Sequence, residues 1–222
     1  MLIVLLLSLA PIPAAGQECP RSTRLEHLFL VETADVRSAG ELSAGYVAGR
    51  AQNGTDYNLF QGDLRLGWRG RWQLYANWDE NRIIHGEIDH AVTFGIGRAL
   101  LCRPGAPLLR LDAGFHHDGG DGAEFGLHAG QRAGGIGWQL GLRHTRVTDV
   151  TRYSAALILD RPWFAAALEG SAEDTPTGQD EWISLGLFPV AGERFQLGFA
   201  LARGRGASEG RRHLLLRMAA RF

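Results

Sequence analysis

The sequence predicts an all-β chain closed into a single antiparallel transmembrane barrel of about twelve strands. Three observations predict it. Hydrophobicity from Gly40 to Phe222 alternates with period two, segment after segment. Turn-forming residues separate segments close to the 9–11 residues a tilted membrane strand needs. No helical pattern is present to cover a soluble sheet, and the longest apolar runs, such as Ala155–Leu159, have about five residues, too few for a spanning helix. Only helices and closed barrels satisfy every backbone group in lipid, so a membrane reading must be a barrel.

Composition narrows the class. With 45% hydrophobic and 21% charged residues and a net charge of −1, the 222-residue chain is neither disordered nor suited to bind nucleic acid. All basic residues are Arg. The 30 glycines show no collagen period and serve turns, bulges and crowded wall positions.

At the N-terminus, Met1–Ala10 is an apolar run followed by Pro11, Pro13 and the small residues Ala14-Ala15-Gly16. That pattern predicts a secretory leader over residues 1–16, although only the terminal amine supplies positive charge. Residues 17–39 are then an N-terminal segment lying in the periplasm or entering the lumen, and residues 40–222 form the barrel.

The alternation predicts strands at 40–51, 57–69, 71–82, 88–101, 107–117, 123–133, 136–147, 151–161, 163–173, 180–189, 195–204 and 211–222. The last is the clearest: Leu214, Leu216, Met218, Ala220 and Phe222 share one face, while His213, Arg217 and Arg221 lie on the other. In the fourth, Arg98 falls on the face of Val92, Phe94 and Ile96, which predicts a bulge. Tight turns alternate with longer polar ones such as Gln52–Asp56 and Ile83–Glu87. Trp68, Trp72, Trp138, Trp163, Phe188, Phe195 and Phe222 gather at one rim, as an interfacial girdle would.

In a membrane barrel the apolar face meets lipid and the polar face lines the lumen. The predicted lining includes Glu41, Asp63, Arg65, Asn77, Asp79, Arg110, Asp112, Glu124, His128, Arg132, Arg143, Glu169 and Arg217. Both charge signs occur, so the lining is weakly selective or pairs internally. Twelve strands fall between filled eight-strand barrels and open porins. The expected function is passage of small solutes, with residues 25–38 as a gate. A structural barrel without transport and a membrane-embedded acyl hydrolase are the alternatives.

Cys19 and Cys102 are the only cysteines. A barrel that begins and ends in the periplasm places both on that side, where a disulfide would tether the segment before the first strand. Two free thiols are the other reading. His116-His117 point to opposite strand faces, and the loop Asp118–Gly122 lacks calcium-loop spacing, so no metal site is predicted. The His-x-Ser-Asn pattern of barrel acyl hydrolases is absent. A cross-strand set such as Ser154, His144 and Asp160 could still assemble. No enzyme activity and no cofactor are expected.

The closing segment ending in Phe222 resembles the assembly signal of bacterial outer-membrane barrels, with Ala220 where an aromatic is common. Two stretches, Val31-Glu32-Thr33-Ala34-Asp35-Val36…Gly40-Glu41-Leu42 and Leu64-Arg65-Leu66-Gly67-Trp68…Trp72-Gln73-Leu74, are similar to outer-membrane transporters of the phenol-degradation meta-pathway type. Gly186-Leu187-Phe188-Pro189…Arg194-Phe195-Gln196-Leu197 echoes the second. This resemblance implies a Gram-negative outer membrane, with its lipid and barrel-assembly machinery as partners. It also implies transport of small solutes, hydrophobic or aromatic ones included.

Overall fold

A computed structural model describes residues 19, 25, 28–36, 40–50, 56–68, 71–83, 88–118, 120–176, 178–192, 194–206 and 209–222. The predicted leader lies outside the described residues, as do the polar turns expected at Gln52–Asp56 and Ile83–Glu87 apart from Asp56 and Ile83.

Twelve antiparallel strands form one closed barrel: β1 (Gly40–Arg50), β2 (Asp56–Trp68), β3 (Trp72–Ile83), β4 (Ile88–Leu101), β5 (Leu108–His117), β6 (Asp121–Ala133), β7 (Ile136–Thr145), β8 (Val150–Arg161), β9 (Phe164–Thr175), β10 (Gly178–Ala191), β11 (Phe195–Gly206) and β12 (Arg212–Arg221). Each strand pairs with its sequence neighbours, and β1 closes on β12 from Glu41↔Arg221 to Arg50↔Arg212. Closure leaves no unpaired edge, which is the condition for a sheet to sit in hydrocarbon.

The period-two pattern sets which way the ribbon faces. Leu185 is 66% exposed, Leu201 68% and Leu157 60%, while Ser184, Ala200 and Ala156 beside them are buried. Large apolar side chains therefore cover the outside all round, as on Leu42, Phe94, Leu140, Leu168 and Leu214. A water-soluble sandwich would invert this distribution.

The bulge expected in β4 is present, as a register shift between Ala99 and Leu101. Arg98 stays on the outer face, opposite Trp72 in register, with its guanidinium 4.8 Å from the indole ring centre. The cation–π contact covers the charge at the rim, where β4 would otherwise present it to lipid. Trp68, Trp163, Phe195 and Phe222 are exposed at the same rim.

Phe188 departs from the expectation. It is fully buried, turned into the barrel with Ser184 and Gly186, and takes no part in the girdle. It lies within a second register shift, between Leu187 and Val190, that resets β10 against β11.

If the outer face meets hydrocarbon, Leu185→Arg near the middle of β10 should destabilise the barrel by about 2–4 kcal/mol. Equilibrium urea unfolding from lipid vesicles measures this. Unchanged stability would mean that Leu185 does not face the bilayer.

Candidate functional site in the barrel lumen

Residues 28–36 run inside the barrel. Leu28 O accepts a hydrogen bond from Arg217 Nη1 on β12 at 2.8 Å. Four residues on, Glu32 sits among Arg143 of β7, His128 of β6 and Arg110 of β5. β12 and β6 are opposite in a ring of twelve, so the segment crosses the lumen from wall to wall.

The wall offers this segment two different surfaces. One is apolar and was not anticipated. Leu25, Leu28, Phe29 and Val31 pack in one cluster with Val47, Ala156, Ile158, Ala165, Ala167, Phe188, Ala200, Ala202 and Leu215. Many of these wall residues are alanines, which leave room for the insert. Phe29 stacks on Phe188 with ring centres 5.0 Å apart. A Cβ on Gly186 would come within 2.8 Å of the Phe29 ring, and one on Gly198 within 2.4 Å of Phe188. Glycine at these two places lets the rings lie against the wall. The lining expected to be polar is thus polar on one side only. The sequence signal was the pair of unbroken apolar runs Ala155–Leu159 and Phe164–Leu168, over which both faces of β8 and β9 are apolar, with Asp160 and Glu169 just beyond them.

The polar side carries most of the predicted lining. Glu169 is buried and accepts hydrogen bonds from the backbone N–H groups of Phe29 (3.1 Å), Leu30 (2.6 Å) and Val31 (3.1 Å). Gln139 Oε1 accepts from Ala34 N at 2.9 Å. Arg110 Nη1 donates to the carbonyls of Thr33 (2.8 Å) and Asp35 (3.1 Å), while its Nη2 holds Asp112 at 2.7 Å. A non-strand backbone has no ladder to satisfy it, and these four wall residues, Glu169, Gln139, Arg110 and Arg217, supply what a ladder would.

Glu32 anchors the centre. It pairs with Arg143 and lies 3.3 Å from Arg110 Nη2, and His128 Nε2 lies 3.5 Å from Glu32 and 3.1 Å from Asp112. Burial opposes its charge, but Arg143, then His128, Arg65 and Arg110, outweigh burial and hold the carboxyl well below the ordinary range. Arg143 also reaches Glu124 at 3.6 Å. On the neighbouring wall Arg65 is paired with Asp63 at 2.9 Å.

Glu41 is buried at the start of β1. Asn77 and Asp79 line a cavity of about 100 Å³ with residues 28–33, Gln61, Asp63, Arg143 and Arg217. It is room for a few waters, not a passage. Arg132 stands apart from the other predicted lining residues. It is exposed at the rim, 3.3 Å from buried Asp160.

Cys19 and Cys102 form a disulfide, tying the chain ahead of this segment to the β4–β5 turn. Around that bond Ala34, Ala99 and Leu108 form a second small apolar cluster.

Glu32, Asp112 and His128 place three ligand-type atoms within 4.8 Å of one another. The two carboxylates are already matched by Arg110 and Arg143, whose charges would repel a cation there. His116 pairs with Thr93 inside the barrel (2.7 Å) and His117 with Asp121 outside it (2.6 Å), so these adjacent histidines do not converge. The triad candidates separate in the same way. His144 lies on the outer face against Thr151 at 3.0 Å, Ser154 lies on the inner face beside Gly141, and Asp160 is at the rim with Arg132.

Glu169→Leu removes the acceptor for three consecutive N–H groups, two of them buried, at a cost of about 2 kcal/mol to docking of the segment. Hydrogen exchange at Phe29–Val31 should accelerate roughly thirtyfold; unchanged exchange would mean the segment is held otherwise. Acid should act through Glu32. A lowered carboxyl contributes stability above its unfolded value, and that contribution is lost as pH falls through the folded one. Protease sensitivity of the segment should stay low through the ordinary carboxylate range and rise only below it, and Glu32→Gln should abolish that step.

No family model and no curated protein matches the sequence. Solved structures do match in fold. The KdgM porin in complex with disordered oligogalacturonate superposes with a TM-score of 0.62 at 6% identity, over 81% of this chain and 99% of that one. An outer membrane channel from Pseudomonas putida F1 gives 0.54 at 12% identity, over 84% and 97%. Outer membrane phospholipase A from Escherichia coli gives 0.52 at 13% identity, over 90% and 98%. The likeness lies in the fold: a closed antiparallel barrel of the outer-membrane type.

Proposed function

We propose that this protein is a channel of the Gram-negative outer membrane for small solutes, closed at rest by its own N-terminal segment. The observation that carries this reading is how the lumen is filled. Arg110, Gln139, Glu169 and Arg217 bond to the backbone of residues 28–36, and Arg143 to the side chain of Glu32. A structural barrel satisfies its wall with its wall. Here the wall's partners sit on a strap that one disulfide and non-covalent contacts hold.

With the strap displaced, the lumen has an alanine-rich apolar side and a side bearing charges of both signs. That pairing suits amphipathic solutes, an apolar ring with a polar or ionised end. The meta-pathway transporter resemblance implies the same class, and its Glu32-Thr33-Ala34-Asp35 stretch lies among the strap's polar contacts. Fold likeness to two channels is consistent with transport. The separation of His144 from Ser154 and Asp160 favours a channel over a hydrolase.

Planar-bilayer recordings test the reading. Mature protein should conduct weakly, and protein lacking residues 25–38 should conduct severalfold more. In vesicle-swelling assays the deleted form should admit benzoate faster than a sugar of similar size. Equal conductance of the two forms would contradict the strap as a closure, and equal swelling rates would contradict the solute class.

A further inference from the structure

At the end of the barrel away from the tight turns, the outer face of three adjacent strands carries a row of arginines. Arg50 of β1 is opposite Arg212 of β12, and Arg212 is opposite Arg203 of β11. All three are exposed and share the outward face with Leu214 and Leu201, which lie two residues below Arg212 and Arg203. Two residues of strand are about 7 Å. The row therefore stands just above the apolar belt, at headgroup height.

Like charges directly opposite one another destabilise a sheet. The carboxylates near the row, Asp56, Glu181 and Glu209, are outnumbered by its guanidiniums, which Arg205 and Arg211 raise to five. In register, Asp56 of β2 stands beside Arg50, whereas Arg203's other neighbour is Ile183 of β10; Glu181 lies one row higher, opposite Arg205. Beneath the row lies a hollow of about 510 Å³ lined by Ala48, Leu201 and Leu214 and edged by Arg50 and Arg212. Guanidiniums above an apolar hollow match a lipid that carries phosphate on its headgroup and acyl chains below, since guanidinium forks bind phosphate oxygens in pairs.

We propose that the β11–β12–β1 outer face is a binding site for a phosphorylated glycolipid of the outer leaflet, its phosphate seated on Arg203, Arg212 and Arg50. The site rests on the outer-membrane reading, because only that orientation brings the row to the outer leaflet.

The experiment uses the mature protein in phosphatidylcholine nanodiscs doped with lipid A, either bisphosphorylated or with its phosphates removed. Bound lipid is counted by native mass spectrometry. The wild type should hold the bisphosphorylated form about tenfold more tightly than the dephosphorylated one, and millimolar inorganic phosphate should not displace it. The Arg203→Gln/Arg212→Gln variant should lose that preference. Arg103→Gln/Arg194→Gln, at the opposite rim, should keep it. Equal binding of the two lipid forms, undiminished binding by the first variant, or displacement by free phosphate would each overturn the proposal. A chain that enters the discs, migrates faster before boiling than after, and shows no lipid preference refutes this site alone. One that cannot enter them refutes the membrane reading as well.

Discussion

A barrel wall has two faces, and here hydrocarbon claims the outer one. Every other property of the molecule follows from that allocation. Leu185, Leu201 and Leu157 can be exposed only if the medium outside is apolar, and the polar half of each strand must then turn inward. Inside, space is limited and the dielectric is low, so Glu169, Arg110, Asp112 and His128 need partners nearby. The wall supplies some, as in Arg65–Asp63 and Arg110–Asp112. Residues 28–36 supply the rest.

The strap and the wall are matched in chemistry as well as shape. Phe29 fits a recess kept open by Gly186 and Gly198, while three consecutive N–H groups fall on one carboxylate. Glu32 does the reverse, bringing a carboxylate to two guanidiniums. Such a contact is strong when complete and costly when partial, which favours two discrete states, docked and undocked. The Cys19–Cys102 bond changes the second state. The strap already runs on into β1 at Gly40, and the disulfide ties its other side to the β4–β5 turn, so a strap leaving the wall would be held at both ends and its return would cost less entropy.

Much of this was legible in the sequence because a period of two leaves little freedom. All twelve strands lie where the alternation put them, with ends shifted by no more than two residues. The bulge near Arg98 was visible as a charge on an apolar face. What escaped was the inside. Alternation identifies a polar face only where the other is apolar, and over Ala155–Leu159 and Phe164–Leu168 both are. Phe188 illustrates the same gap. Its nearness to a turn placed it in the girdle, whereas its parity with Ser184 and Gly186 decides its direction. The strap was legible as a candidate gate but not as a fitted insert, because nothing local in Leu28–Val36 identifies Glu169, about 140 residues away in the chain, as its partner. Arginine neighbours such as Arg203 and Arg212 meet only through strand register, which emerges once the barrel closes.

The central claim is one of placement: leucines in lipid, strap in lumen. It is tested most directly by fluorescence quenching of single bimane labels at positions 185 and 30 of the mature protein in vesicles. The label at 185 should be quenched by nitroxide lipids and not by iodide, and the label at 30 should be shielded from both. Free access of iodide to position 30, or to 185, would contradict it.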